Sequence, residues 1–380
     1  MVEPSIGGGP VSAINLANAL LDRGHDVTLL LGTDPDKKIA EWIKGELTSN
    51  VVYTLGYSGI TNLRSVLNRA SKTLERLSPY QEVINAHGVS GLSVPDGTTD
   101  KLIVTIHGHV YSRGVHLFSS ILSNRALWAF HSLIDSTKVM IGGALQGRHE
   151  KKVCNRARMV FTPSYFESRQ IQQNYGIKKE NVHRIPNIVS LPRATLEKRE
   201  TDAEKTLLYV GGFTTMKGIP LLMKAVHQIF EGDDDARLEI AGDGPLRWII
   251  QRLKRQYPER VRCHGVVSGE ELSALYSDAG IFLFPSLYES YGLSIAEALY
   301  TGLPIVAYNT TAIPEMVLDG VNGLLAEPYD VSDIAEKTLE LLSDPVRRSR
   351  MGRNAERTAK ELTDMDQTIK LLENCYSEVA

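Results

Sequence analysis

Residues Ile281–Thr301 read IFLFPSLYESYGLSIAEALYT, and the rest of the chain is organised around them. The stretch opens with Ile281-Phe282-Leu283-Phe284-Pro285, a short continuous apolar run of the kind that forms a parallel strand covered on both faces. A turn carrying Ser286, Glu289, Ser290 and Gly292 follows, and Leu293-Ser294-Ile295-Ala296-Glu297-Ala298-Leu299 then has helical spacing. A helix that starts at the carboxyl end of a parallel strand aims its unpaired first N–H groups at the intervening turn, which makes an anion site. Glu289 before the helix and Glu297 inside it flank that site. An anion site with two carboxylates suits a ligand carrying a phosphate and several hydroxyls, and a nucleotide sugar carries both.

At 380 residues the chain exceeds one ordinary core, so two domains are expected. An apolar content of 42% with 23% charged residues belongs to a globular protein. The net charge of −3, with no long Lys/Arg run, gives no reason to expect nucleic acid as a partner. Cys154, Cys263 and Cys375 are odd in number and far apart, which fits a reducing compartment and neither a disulfide framework nor a zinc site. No apolar run reaches membrane-spanning length and the N-terminus lacks a basic-then-apolar signal pattern, so a cytoplasmic two-domain α/β protein is expected.

Toward the N-terminus, Gly7-Gly8-Gly9-Pro10 precedes an amphipathic helical pattern with Val11, Ile14, Ala17, Leu20 and Leu21 on one face, ended by Gly24. Only Met1–Ile6 stands before that glycine turn, with Pro4 inside it, so the expectation is a natural reading frame that begins upstream or a stunted first strand. Strands are then expected at 27–31, 51–55, 83–86, 102–106, 159–162 and 182–185, with helices at 39–47, 63–77 and 115–134 and another ending in the basic 148–158 segment. Polar residues 192–205 read as the linker. A second alternation follows, with strands at 206–210, 237–241, 261–263, 281–284 and 305–307 and helices at 219–230, 246–256, 270–277, 293–301, 332–342, 345–362 and from 365 to the end. The division is thus 1–190, 191–364 and a last helix, 365–380, returning to the first domain.

Each candidate motif has a plain alternative. Gly211-Gly212-Phe213-Thr214-Thr215-Met216-Lys217-Gly218 opens a helix after a strand, where Lys217 can set a charge beside a phosphate, or can equally be a solvated turn residue. It lacks the glycine-lysine-Ser/Thr order of a Walker A loop. Gly242-Asp243-Gly244-Pro245 lacks the third glycine of a dinucleotide fingerprint and reads at least as well as a tight turn. Asp233-Asp234-Asp235 could be taken for a metal cluster, but it lies at the amino edge of the sheet, away from where α/β proteins bind ligands, and reads as a solvated loop. Glu297 in the first turns of a helix is favourable to the dipole whatever its function. His107 and His87 end neighbouring strands; without carboxylate or cysteine company they make no metal site, and His107 is kept as the stronger site candidate.

In this order the motifs resemble glycosyltransferase family 4, retaining enzymes of the GT-B fold. The resemblance rests on the early glycine turn with LANALLDRGHDVTLL behind it, TIHGH at 105–109, TPS at 162–164, IPN at 185–187, YVGGFTTMKGIPLLMKA, IAGDGP, LFPSLYESYGLSIAEAL, GLPIVA and PEMVLDGVNGLL. It implies two Rossmann-like doubly wound domains facing across a cleft, with the acceptor on the first and the nucleotide sugar on the second. By the resemblance, Lys217 contacts the donor diphosphate, and the backbone of Tyr291, Gly292 and Leu293 binds it at the helix start. Glu297 holds the ribose, Glu289 holds hydroxyls of the transferred sugar, and Gly8 and Gly9 approach the diphosphate. His107 sits near the reaction centre, and Gly212, Gly244 and Ser290 count among the donor-binding residues. Four departures stand out: Gly212 where an arginine is usual, Ile188 and Ser190 in place of a glycine and an aspartate, Pro314 before Glu315 where glycine is common, and the short first strand.

The implied function is transfer of a hexose-type sugar, from a UDP- or GDP-linked donor, to a hydroxyl of a glycan or lipid-linked acceptor, with no metal and no other cofactor. The alternatives are a nucleotide-sugar epimerase or hydrolase of the same fold, and a non-catalytic nucleotide-sugar-binding subunit. Basic 63–77 and aromatic 118–130 could meet an anionic or lipid-linked acceptor through peripheral membrane contact, although amphipathic helices packed on a sheet read the same way.

Overall fold

A computed structural model of the chain describes residues 8–31, 50–53, 72, 83–87, 92, 94–108, 147–189, 205–362 and 364–380. The expected helices at 39–47 and 115–134, all of 63–77 except residue 72, the residues before Gly8 and nearly all of the expected linker lie outside these residues. The chain forms two compact units. One is drawn from Ile6–Val110, Ala144–Ile188 and Met365–Ala380, and the other contains Val189–Asp364.

The first unit opens with α1 (Gly8–Leu21), so Gly8 and Gly9 belong to the first helical turn. Its buried face is Ser12, Ile14, Ala17, Ala19 and Leu20; Val11 and Leu21, expected on that face, are only half-buried. The face rotates because Ser12 Oγ donates to Asn187 Oδ1 (2.7 Å) and Asn15 Nδ2 to the Ile188 carbonyl (2.9 Å), tying α1 to the 187–188 segment. Strands β1 (Thr28–Leu31) and β2 (Asn50–Tyr53) pair in parallel. Strands β3 (Ile84–His87), β4 (Leu102–Thr105), β5 (Met159–Thr162) and β6 (Val182–Arg184) form a parallel sheet in that order. Between β5 and β6 runs α2 (Tyr165–Tyr175), absent from the elements expected above because its apolar residues are too sparse to show a helical period. Its signals are in the sequence: Ser164 caps the Glu167 N–H in a Ser-x-x-Glu start, and left-handed Gly176 closes it. The C-terminal helix Met365–Ser377 belongs to this unit, where Leu372 and Cys375 pack with Ile103, Met159 and Phe161.

The second unit alternates strictly. Strands β7 (Thr206–Val210), β8 (Arg237–Ala241), β9 (Val261–Gly265), β10 (Ile281–Phe284), β11 (Ile305–Tyr308) and β12 (Gly323–Ala326) form one parallel sheet in the order β12-β11-β10-β7-β8-β9. The helices are α3 (Ile219–Gly232), α4 (Arg247–Gln256), α5 (Gly269–Ser277), α6 (Leu293–Tyr300), α7 (Val331–Ser343) and α8 (Pro345–Leu362). Strand β12 is likewise absent from the expected elements. Its Gly323 lies where a Cβ would stand 2.3 Å from the Ile305 carbonyl oxygen, so the strand packs on β11 through a bare backbone. Phe282 and Phe284 are buried to 0% and 1% exposure, and truncating either to alanine should cost about 3–5 kcal/mol.

The strand order places the site. From β7 the chain winds outward through β8 and β9, then returns to β10 on the opposite side of β7, with Ile281 in register with Leu207. That reversal is the topological switch point of an open parallel sheet, and it sets the loops after β7 and β10 side by side at the carboxyl edge.

Candidate functional site

The loop after β7 is pressed against the end of β10. Gly218, at φ +72°, enters α3 where a Cβ would lie 1.7 Å from the Pro285 carbonyl oxygen, so only glycine fits. The Leu287 N–H donates to the Met216 carbonyl (2.8 Å), and buried Tyr209 Oη donates toward the carbonyls of Gly212 (3.2 Å) and Lys217 (3.3 Å) from below. Held this way, Lys217 delivers Nζ to 2.6 Å from Glu289 Oε1. The same carboxylate oxygen accepts from Ser286 Oγ (2.7 Å). Glu289 is only 5% exposed, whereas the Lys217 side chain is 32% exposed and reaches solvent.

The backbone of Glu289 is fixed from β11's loop. Its N–H donates to Thr311 Oγ1 (2.9 Å), and its carbonyl accepts from the Ala312 N–H (3.3 Å). Thr311 adopts φ +53°, a conformation that costs a β-branched residue energy and that the surrounding contacts must hold. Nothing in the sequence marks Thr311, Tyr209 or Tyr276 as part of the site.

Gly292 caps α6 with φ +96°, and a Cβ there would meet Ile295 Cδ1 at 3.0 Å and Met316 Cε at 3.2 Å. No side chain caps this end, and the first helical bond runs from the Ala296 N–H to the Gly292 carbonyl. The N–H groups at Leu293, Ser294 and Ile295 thus have no partner inside the helix, and they face the dipole's positive end. Glu297, one turn in, accepts from Tyr276 Oη (2.7 Å). Burial raises its pKa to about 7, against the opposing pull of the Tyr276 hydrogen bond, so near neutrality its protonated and ionised forms are both populated.

The remaining candidates of this unit divide. A Cβ on Gly212 would meet nothing closer than the Asp243 carbonyl oxygen at 3.9 Å, so the position has room for a side chain. Gly244 has none, because a Cβ would lie 2.7 Å from the Phe213 carbonyl oxygen. The Phe213 N–H donates to the Asp243 carbonyl (2.9 Å), which laces this tight turn to the Lys217 loop. Ser290 is half-buried and Tyr291 buried just ahead of Gly292. Asp233 caps its own turn by accepting from the Asp235 and Ala236 N–H groups, and Lys205 bridges Asp233 and Asp235. Among the described residues no group of three acids, histidines or cysteines is placed to hold a metal.

His107 belongs to the first unit, just beyond β4, and meets His87 at the end of β3. His87 Nδ1 and His107 Nε2 are 2.5 Å apart, the ring planes differ by 14° and the centroids by 4.8 Å. That centroid separation is the N···N distance plus two ring radii, so the rings meet edge to edge through an in-plane N–H···N bond rather than face to face. Burial, and for His87 also the proximity of His107, lowers their pKa values to about 3 for His87 and about 4 for His107, and both are neutral at physiological pH. His107 Nδ1 is buried without a hydrogen-bond partner. The pair lines a small, partly open pocket with Ser12, Thr105, Asn187 and Pro186.

Comparison with known proteins follows the same division. Residues 6–193 match the model of Glycosyltransferase Family 4, and residues 194–358 match that of Glycosyl transferases group 1. The chain belongs to this glycosyltransferase family, and its fold is GT-B. It is 22% identical to N-acetyl-alpha-D-glucosaminyl L-malate synthase of Bacillus anthracis over 99% of its length and 95% of that protein. Alpha-D-kanosaminyltransferase of Streptomyces kanamyceticus is 29% identical over 49% of this chain and 51% of its own length. With several of these curated relatives the match spans about half of the relative's length. The crystal structure of Anabaena HepE in complex with UDP-glucose has a TM-score of 0.74 at 17% identity, covering 100% of this chain and 98% of that one.

Proposed function

We propose that the protein transfers a hexose-type sugar from a nucleotide diphosphate donor to a hydroxyl of a glycan or lipid-linked acceptor, with retention at the anomeric carbon. The observation that carries this reading is the convergence, at one switch point, of Lys217, Glu289 and an uncapped helix start with Glu297 one turn behind it. The UDP-glucose bound by the related HepE supports a nucleotide sugar as donor, and the names of the relatives support sugar transfer.

In this scheme the ribose hydroxyls donate to Glu297 and the transferred sugar to Glu289, while the diphosphate takes up Lys217 and the N–H groups at Gly292–Leu293. Breaking the bond between the anomeric carbon and the diphosphate oxygen puts negative charge where those donors are already fixed. They therefore stabilise the transition state more than the ground state. The acceptor oxygen forms its new bond on the face the diphosphate leaves, and its proton passes to a diphosphate oxygen. A double displacement would instead need a carboxylate on the opposite face of the sugar as nucleophile. The amides and Lys217 supply the charge compensation that other transferases take from a metal, so no metal enters the scheme.

The test is a nucleotide-sugar panel scored by thermal shift, since a bound donor stabilises by mass action. The stabilising donor is then incubated with acceptors and the anomeric configuration of the product read by NMR. A retained configuration supports the reading. Epimerised free donor, or donor hydrolysis with no transfer to any acceptor, replaces it with the epimerase or hydrolase reading.

A further inference from the structure

We propose that the outward face of α8 is a docking surface for an anionic membrane, separate from the donor site. Val346, Arg350, Arg353, Arg357 and Lys360 recur at spacings of four and three residues and are all exposed. At about 100° per residue they fall within about 40° of one line along the helix, over roughly 21 Å. The opposite side of α8 carries Met351, Ala355 and Ala359 into the core of its unit, so the cations are held outward by the packing.

Among the described residues these charges meet no counter-charge. Arg353 Nη1 donates to Ser349 Oγ and Arg357 Nη2 to Asn354 Oδ1, and among the described residues no carboxylate lies within ion-pair distance of the four cations. Glu356 and Glu361 are exposed at the edges of the stripe and make no ion pair with it. Lys337 and Arg347 nearby are instead paired, with Asp333 and Glu340. Apolar side chains accompany the stripe. Val346 is 77% exposed at its start, and Leu318 (44%) and Val321 (40%) stand on a loop seated against α8 by the bond from Asn354 Nδ2 to the Val321 carbonyl.

A convex row of unpaired cations with exposed aliphatic side chains fits a lipid surface better than nucleic acid, which would be met by a groove or by aromatic stacking. Each cation near an anionic leaflet multiplies the partition roughly fivefold, so four give about a 10²- to 10³-fold preference, a reversible contact that salt weakens. The chain's overall charge of −3 makes the attraction local to this face.

The experiment is cosedimentation of the full chain with phosphatidylcholine vesicles, with and without added phosphatidylglycerol, at rising salt. The wild type is expected to bind the anionic vesicles about a hundredfold better and to release them as salt rises. The combined Arg350→Gln, Arg353→Gln, Arg357→Gln and Lys360→Gln variant, which leaves the core side of α8 intact, should lose that preference while keeping its melting temperature. Leu318→Ser with Val321→Ser should weaken binding severalfold and leave the salt dependence. Equal binding to both vesicle types, an unchanged preference in the four-glutamine variant, or binding to heparin but to no vesicle would overturn the proposal.

Discussion

Lys217 Nζ lies 2.6 Å from Glu289 Oε1, in a contact where the carboxylate is buried and the ammonium reaches solvent. In the proposed donor complex both groups have another partner, the diphosphate for one and a sugar hydroxyl for the other. A nucleoside diphosphate without its sugar satisfies only Lys217 and leaves buried Glu289 without its cation, held by the Ser286 hydroxyl alone, which is less favourable than the ion pair. Glu289→Gln should therefore bind nucleoside diphosphate several-fold tighter than wild type. Its kcat/KM for the intact donor should fall about 10- to 100-fold, the value of a hydrogen bond to a charged group. Calorimetric titration with both ligands checks this, and parallel changes in the two affinities would remove the argument.

In the proposed donor complex Glu297 makes binding pH-dependent. Burial holds its pKa at about 7, above the ordinary 4.5, so the folded protein favours the protonated form and stability declines as pH rises from the lower value to the higher. Ribose hydroxyls donate better to the carboxylate. Donor affinity should then strengthen as pH rises through about 7, and binding at pH 6 should release a proton, seen as a buffer-dependent enthalpy. Glu297→Gln should abolish both effects.

The two loop glycines should respond in opposite ways. Gly218→Ala forces a Cβ into the Pro285 carbonyl at φ +72° and should destabilise the protein by at least about 2 kcal/mol. Gly212→Arg has open space, should leave the melting temperature nearly unchanged, and by adding a charge beside the loop should tighten donor binding about tenfold. A Gly212→Arg protein with unaltered donor affinity would place that position away from the phosphates.

Much of the donor half of this arrangement was legible from the residues. The buried run at Ile281–Phe284, the turn glycines and the helix behind them obey local rules, and the strand alternation dictates a switch point. The pairing of Lys217 with Glu289 was not, because it joins residues 72 apart in the chain through sheet order. Tyr276 and Thr311 were equally silent, since a hydroxyl that reaches a carboxylate or amide across two elements leaves no local pattern. The Val11 face of α1 misled because Ser12 finds Asn187, a tertiary bond that apolar periodicity does not register.

The histidine pair predicts its own acid limb. Both pKa values lie below the ordinary 6.5, so the folded state resists protonation and its stability is full above 6.5 and lost as pH falls toward about 4. His87→Asn removes one of the buried imidazoles, and its unfolding free energy should fall less steeply over that interval. Chemical denaturation at stepped pH measures the slope, and an identical slope in the variant would show that the pair does not govern it.

In the proposed reaction Lys217 meets the charge that develops on the leaving diphosphate. The most direct test is kcat/KM of Lys217→Ala with the donor found by the nucleotide-sugar panel. A loss of about 10²- to 10³-fold is expected, with melting temperature lowered by only a few degrees because Ser286 still donates to Glu289. A folded Lys217→Ala protein that turns over at the wild-type rate would contradict it.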